Sequence, residues 1–359
     1  MQRAVRKEER IIGHNTTSWS LLNTYASTLE GRRLFLANIL ITGGLGFLGS
    51  QLARSLSIES NGEREITLFD ITRDSKHVQD IIAKDKSRIK IVRGNLTVLS
   101  DVLDAVKGNG IDCIFHLAST ISAASDIRPV ASYKVNFEGT VNVLEAARLF
   151  GVRKVIYSSS VAVYSTESSS PIKASEEYSK WPTTSYGISK AFSEQWGRFY
   201  ESKYGIKFRS LRFPVLVGPG REWSTFGFSS FIIQKSALGE PFQIPLEPEF
   251  RTSVAYVKDA ARALVQIYKA NSLNHEVYNV PSIRPSAQEV VNEVKKHVPN
   301  AALKFAVDQE FAQVAEKRNP PEGDSSRLKE DLNFELRFNL ERMVVDFLEE
   351  MRTNKYLYV

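Results

Sequence analysis

One cysteine in 359 residues, Cys113, leaves no partner for an internal disulfide. Its setting, DCIFHLA, reads as a buried strand, so the thiol is expected to pack rather than react. No apolar run approaches the ~18 residues that a membrane-spanning helix needs. The leading residues lack the apolar core of a secretory signal, and Glu8 and Glu9 oppose a transit peptide. The expected location is therefore the cytoplasm, with no membrane partner. Histidine is also scarce: His14, His77, His116, His275 and His297 lie far apart and form no metal-ligand spacing, so no metal is expected. Net charge is low for the length, +6. Half of that surplus sits in residues 1–33, where six basic side chains face three glutamates. A nucleic-acid footprint needs a basic face on the folded body. None is visible, so nucleic acid is not an expected partner.

What is present is an ordinary globular composition, 42% hydrophobic and 25% charged, long enough to bury a large core. Residues 1–37 read as a polar N-terminal extension without legible chemistry. From there short apolar runs alternate with helical patterns. The strand candidates are 39–42, 65–70, 89–94, 113–118, 154–160, 208–217 and 276–280. Runs that are apolar at consecutive positions are buried on both faces, which implies a parallel sheet covered by helices. The predicted fold is α/β, a Rossmann-type doubly wound sheet over 38–217. After about residue 218 the rhythm breaks into Gly- and Pro-rich stretches. Residues 218–359 read as a smaller substrate-binding lobe whose later segments return to the sheet.

The first strand runs into GGLGFLGS, with Gly43, Gly46 and Gly49 spaced three apart and a helical pattern following. Such a turn needs one glycine for the reversal, one for backbone approach to a pyrophosphate and one for close helix packing. Phe47 and Leu48 lie in the same cradle, where a helix N-terminus offers N–H groups to phosphate. Asp70 closes the next strand, 21 residues after Gly49. A carboxylate there accepts hydrogen bonds from ribose hydroxyls and repels a 2′-phosphate, which favours NAD over NADP. Arg73, three residues on, leaves NADP open.

Further along, TTSYGISKAFSEQW holds Tyr186 and Lys190, four apart and so on one helical face. A phenol is a poor base near neutrality. A neighbouring ammonium and a cationic nicotinamide are expected to draw its pKa down. KVIYSSSVAVYS supplies hydroxyls at a strand end, where a serine can hold a substrate oxygen against the phenol.

The glycine turn, FHLAS, YKVNFEGTVNVLEAA, SSSVAVYS, YGISK and LRFPVLVGPG occur in the order and spacing of the extended short-chain dehydrogenase/reductases. The chain resembles these NAD-dependent epimerase/dehydratase-like enzymes over roughly residues 38–350. The resemblance implies that Ser160 is the catalytic hydroxyl, Tyr186 the acid/base, and Lys190 its partner on the nicotinamide ribose. It implies that Asn136 lies beside the cofactor and that Asn95 and Leu96 flank the adenine, Asn95 in place of the usual Asp. Leu117, Ala118 and Ser119 would line the cofactor, and Phe213, Pro214 and Val215 the nicotinamide. Substrate contacts would come from Ser119, Thr120, Ser160, Tyr186 and the 224–231 segment with Ser229. The resemblance also suggests a homodimer.

Two departures bear on substrate. RFPV stands where nucleotide-sugar members carry an Asn-containing run, and TSVAYVKD keeps Asp259 but lacks the leading Arg, with Arg251 one residue out of register. The FGFSSFIIQKSALGEPF segment instead resembles members of the D-erythronate and L-threonine 3-dehydrogenase types. The expected activity is NAD(P)-dependent oxidation of a secondary alcohol on a small hydroxy acid, sugar or sugar acid. The alternative is a nucleotide-sugar epimerase holding NAD tightly. Dehydration fits worst, because Val161, Ala162 and Val163 follow Ser160 where an Asp-Glu pair would stand. A scaffold without catalysis is opposed by the intact Ser160, Tyr186 and Lys190.

Overall fold

The computed structural model describes residues 38–60, 63–76, 78–80, 88–164, 166, 173–178, 180–224 and 226–354. The N-terminal extension, 1–37, lies outside them. Seven strands build the central sheet: β1 (Asn38–Thr42), β2 (Glu65–Asp70), β3 (Arg88–Arg93), β4 (Ile111–His116), β5 (Lys154–Ser160), β6 (Lys207–Phe213) and β9 (Val277–Asn279). Their order is β9-β6-β5-β4-β1-β2-β3, and every pairing is parallel. The apolar runs explain this arrangement. In β1, Ile39, Leu40 and Ile41 are all fully buried, because helices cover both faces of the sheet. The chain runs from β1 towards the β3 edge, then crosses back to lay β4 on the other side of β1. That reversal opens a crevice at the carboxyl ends of β1 and β4, the place where open α/β sheets bind ligands.

Helix α1 (Phe47–Glu59) follows β1, and α2 (Gly139–Phe150) precedes β5. The twenty-residue α3 (Ser185–Tyr204) starts at Thr184, whose side chain caps the Gly187 N–H, and stops at Gly205 in the left-handed region. Beyond the sheet, β7 (Val215–Val217) pairs with β8 (Val254–Tyr256). Helices α4 (Phe228–Leu238), α6 (Ala287–His297) and α7 (Leu340–Thr353) enclose a second core with Ile232, Val290 and Phe347 at its centre. Between them α5 (Val257–Lys269) packs against α1, and β9 closes the sheet edge. The later half of the chain therefore builds a lobe and also completes the sheet.

Asp259, fully buried in α5, accepts the Arg262 guanidinium at 2.9 Å and the Arg337 and Phe338 N–H groups at 3.1 Å. It is a staple between segments. Arg251 is exposed and paired with Glu289 at 2.6 Å.

A buried ion pair ties α3 to the sheet. Arg212 on β6 and Glu194 on α3 are 0% and 1% exposed, with Nη2–Oε2 at 2.6 Å and Nε–Oε1 at 2.8 Å. Ser159 donates to the same carboxylate at 2.7 Å. The remaining guanidinium nitrogen donates to the Tyr164 hydroxyl at 2.9 Å and the Glu176 carbonyl at 3.1 Å. Removing one member strands the other charge in the interior, which costs about 3–5 kcal/mol. Glu194→Ala is accordingly expected to lower the unfolding free energy by about that much in urea denaturation. A loss below ~1 kcal/mol, the scale of an exposed pair, would mean that solvent compensates Arg212.

Candidate active site

A cavity of about 730 Å³ fills the crevice and runs under the C-terminal lobe. Its first wall is the glycine turn. Gly43 has φ of 67° and donates its N–H to the Phe69 carbonyl at 2.8 Å. A Cβ on Gly49 would sit 2.1 Å from the Gly43 carbonyl oxygen, so α1 can approach the turn this closely only without a side chain there. Helix α1 has no side-chain cap and no acidic residue in its first turn. Gly46, Phe47, Leu48 and Gly49 all line the cavity. The N–H groups at this helix start are thus left for a ligand phosphate.

Asp70 lines the cavity at the end of β2. Its carboxylate accepts the Leu45 N–H at 3.1 Å on one oxygen, and the Thr72 N–H and hydroxyl at 3.1 Å on the other. These bonds aim it across the turn. Arg73 is exposed and does not line the cavity, which leaves the carboxylate to set the local charge. Asn95 and Leu96 line the same end, though the Asn95 side chain is engaged by the Thr97 N–H and hydroxyl, both at 3.0 Å.

Leu117, Ala118, Ser119 and Thr120 form the middle wall after β4. Asn136, expected beside the cofactor, is 2% exposed and outside the lining. Its Oδ1 accepts the Thr120 N–H at 2.8 Å and the Ser119 hydroxyl at 3.1 Å, while Nδ2 donates to the Thr120 carbonyl at 2.9 Å. It shapes the wall from behind. His116 is fully buried between the Thr42 and Thr140 hydroxyls at 2.7 and 2.9 Å. Burial drives its pKa down to about 3, so this histidine is neutral and structural.

Ser160, Tyr186 and Lys190 meet at the far end, with Phe213, Pro214 and Val215 beside them. Ser160 ends β5 and its Oγ accepts the Ala162 N–H at 3.1 Å. Lys190 donates to the Ser158 carbonyl at 2.6 Å, and its Nζ lies 5.5 Å from the Tyr186 ring centre. Burial drops Lys190 to about 7, with Glu194 partly restoring it. The phenol runs against expectation. Burial pushes Tyr186 up to about 12, and the Ser160 hydroxyl and the Arg221 charge pull the other way without cancelling it. The sequence argument counted the cations and left out desolvation.

Ser229 is a second correction. It is fully buried inside α4 and does not line the cavity; Ser224 and Phe226 do. Ser229 sits one residue into a helix whose inner face serves the second core, so its hydroxyl turns away from the ligand space. Sequence reasoning also missed Arg221 and Arg318, which line the substrate side. Arg221 directly follows GPG, a turn signal that gives no hint of where the next side chain points.

A dinucleotide stretched from Asp70 to Tyr186 would use both ends of this cavity, which both residues line, and this is the arrangement of a nicotinamide-dependent enzyme. The sequence profile of the NAD dependent epimerase/dehydratase family matches residues 39–280, and the chain belongs to that family. It is 29% identical to the mitochondrial L-threonine 3-dehydrogenase of Bos taurus over 86% of this chain and 81% of that one. It is also 29% identical to D-erythronate dehydrogenase of Cupriavidus necator, over 74% and 83% of the two chains. Among solved structures, the holo form of an L-threonine dehydrogenase from Cupriavidus necator superposes with a TM-score of 0.78 at 26% identity, covering 88% of this chain and 99% of that one. A UDP-glucose 4-epimerase from Thermotoga maritima has the same fold, with a TM-score of 0.76 at 24% identity over 89% and 99% of the chains. NAD is the cofactor, and the turn, the open helix start and the aimed Asp70 carboxylate fit it.

Asp70→Ala should weaken NAD binding and bring NADP closer to it, as read by fluorescence titration of the two cofactors. Tighter NADP than NAD binding by the unaltered protein would overturn the role given to Asp70.

Proposed function

We propose that the protein is an NAD-dependent dehydrogenase that oxidises a secondary alcohol on a small polar substrate, a hydroxy acid, sugar or sugar acid. The observation that supports this most is the meeting of Ser160, Tyr186 and Lys190 at one end of a dinucleotide-sized cavity. NAD, when bound, supplies the hydride acceptor. Ser160 orients the substrate hydroxyl against the phenol. Tyr186 takes the hydroxyl proton at its Oη as the carbinol carbon gives up its hydride, leaving a carbonyl. Lys190, 1% exposed on α3, holds the nicotinamide ribose and offers positive charge beside the forming phenolate. Ser119 and Thr120 complete the wall. Residues 38–217 carry the cofactor in this reading, and 218–359 mainly close over the substrate.

The second reading is a nucleotide-sugar epimerase, supported by the shared family and fold. Against it, Val215 occupies the position of the diphosphate-side Asn, and Arg251 is spent on Glu289 outside the cavity. A dehydrogenase releases NADH on every cycle, whereas an epimerase keeps it until the hydride returns. With substrate in solution, stoichiometric NADH should accumulate in absorbance assays, and Tyr186→Phe should cut turnover about 10²–10⁴-fold. Because burial holds the proton on the phenol up to about 12, the basic form grows as pH rises. The kcat/KM for oxidation is therefore expected to climb from pH 6 to 9. Epimerised UDP-sugar with tightly held NAD and no net NADH would promote the second reading.

A homodimer belongs to the same proposal. Ile188, Phe192, Trp196 and Phe199 lie exposed along one side of α3, and Phe137 meets Phe192 and Trp196 at 5.7 and 6.0 Å. Such a contiguous aromatic stripe is an interface signature, and a second copy presents the same stripe to it. Phe192→Asp with Trp196→Asp should convert a dimer to monomers in light scattering. A wild-type monomer at micromolar concentration would end this part. Cytoplasmic residence completes the reading, supported by a lone buried cysteine and, among the described residues, no helix long and apolar enough to cross a membrane.

A further inference from the structure

Four cations line the cavity, and three of them are already engaged. Lys258 pairs with Asp346 at 2.5 Å, Arg318 with Asp126 at 2.6 Å, and Lys190 donates to the Ser158 carbonyl. Arg221 is different. Among the described residues its one hydrogen bond runs from Nη2 to the Ser224 hydroxyl at 3.3 Å, and its Nε is buried with no partner there. The adjacent Glu222 is exposed, and among the described residues no ion pair joins it to Arg221. The guanidinium carbon lies 5.8 Å from the Phe47 ring, and the Tyr186 phenol is the ionisable group whose charge it feels. A guanidinium whose Nε is buried and which has no anion beside it among the described residues is costly unless a ligand supplies one. Burial has already lowered its pKa to about 10, so the strain of that arrangement falls on the charged form.

We infer that Arg221 receives the carboxylate of the substrate, so that the enzyme acts on small hydroxy acids in preference to neutral polyols or sugars. The inference rests on the dehydrogenase reading above and names its substrate class. Two anions could reach this side chain, a substrate carboxylate and the cofactor pyrophosphate. The pyrophosphate is already served by the N–H groups at the start of α1, to which the Phe47 ring beside Arg221 belongs, whereas the phenol, where the substrate hydroxyl must sit, is the ionisable group that Arg221 acts on. A planar guanidinium holding a planar carboxylate through two parallel bonds would also fix which face of the carbinol carbon meets the nicotinamide.

The test is binding to the NAD-saturated protein by calorimetry, in the Tyr186→Phe background so that turnover does not consume ligand. Three acids, L-threonine, D-erythronate and L-lactate, are each compared with the alcohol lacking the carboxylate: threoninol, erythritol and propane-1,2-diol. At least one acid should bind roughly 10- to 100-fold more tightly than its alcohol, the scale of a hydrogen bond to a charged group. Arg221→Gln should reduce that preference to about twofold, Arg221→Lys should keep part of it, and NAD affinity should not change in either. A preference absent from all three pairs, or one that survives Arg221→Gln, overturns the inference. So does an Arg221→Gln variant whose NAD affinity falls instead, because that puts the guanidinium on the pyrophosphate. NADH formation by the unaltered enzyme is scored separately. Turnover without carboxylate preference sinks this inference alone, and preference without turnover sinks the dehydrogenase reading alone.

Discussion

The candidate active site is positioned by one buried pairing, Glu194 with Arg212. The helix that carries Tyr186 and Lys190 must lie at a fixed depth against the end of β5, and packing alone leaves a helix some freedom to slide. The ion pair removes it. Glu194 stands one turn beyond Lys190 on α3, and it grips β6 through Arg212 and β5 through Ser159, the residue next to Ser160. The same guanidinium reaches Tyr164, whose hydroxyl donates to Asn279 on β9 at 2.7 Å. Three neighbouring strands and the helix that carries Tyr186 and Lys190 are thus held by one polar network in which both charges, Glu194 and Arg212, have partners. A fully satisfied network of this kind favours a single geometry, where apolar contacts would tolerate several.

The cavity shows the opposite pattern. Burial shifts its ionisable groups: Lys190 falls to about 7, Arg221 to about 10, and Tyr186 rises to about 12. All three shifts have burial as their largest cause, and Glu194 offsets part of it at Lys190. A positive nicotinamide beside the phenol would draw its pKa back down, and an anion beside Arg221 would favour the charged guanidinium.

How much of this was legible in the sequence depended on how local the cause was. The sheet was readable because three consecutive buried residues such as Ile39, Leu40 and Ile41 admit one explanation, a strand covered on both sides. The cofactor turn was readable because backbone geometry fixes glycine positions within seven residues. Tyr186 and Lys190 were readable because four residues on a helix define a face. Ser229 was misplaced because one residue of helical phase decides between cavity and core, and the Gly- and Pro-rich run before α4 hides where that helix begins. Asn136 was misplaced for another reason. It acts on the site through Ser119 and Thr120, and a resemblance between sequences does not separate touching a ligand from holding the wall that touches it. Arg221 was invisible, since its meaning comes from the carboxylates that are missing around it.

That last contrast bears on how one scaffold supports different reactions. The turn, the carboxylate after β2 and the Ser, Tyr and Lys cluster all sit on the sheet or on α3, which the ion-pair network holds rigid. The substrate side draws on the chain from β7 onward. Val215 opens β7 on the cavity wall, Arg251 points outward to Glu289, and Arg221 lines the cavity. Each placement removes a contact for a long, doubly charged ligand or adds one for a short, singly charged ligand. A short ligand also leaves the lobe with little to grip. On the proposed reading, the contacts that would select a small acid belong to an enzyme that lets NADH go on every cycle.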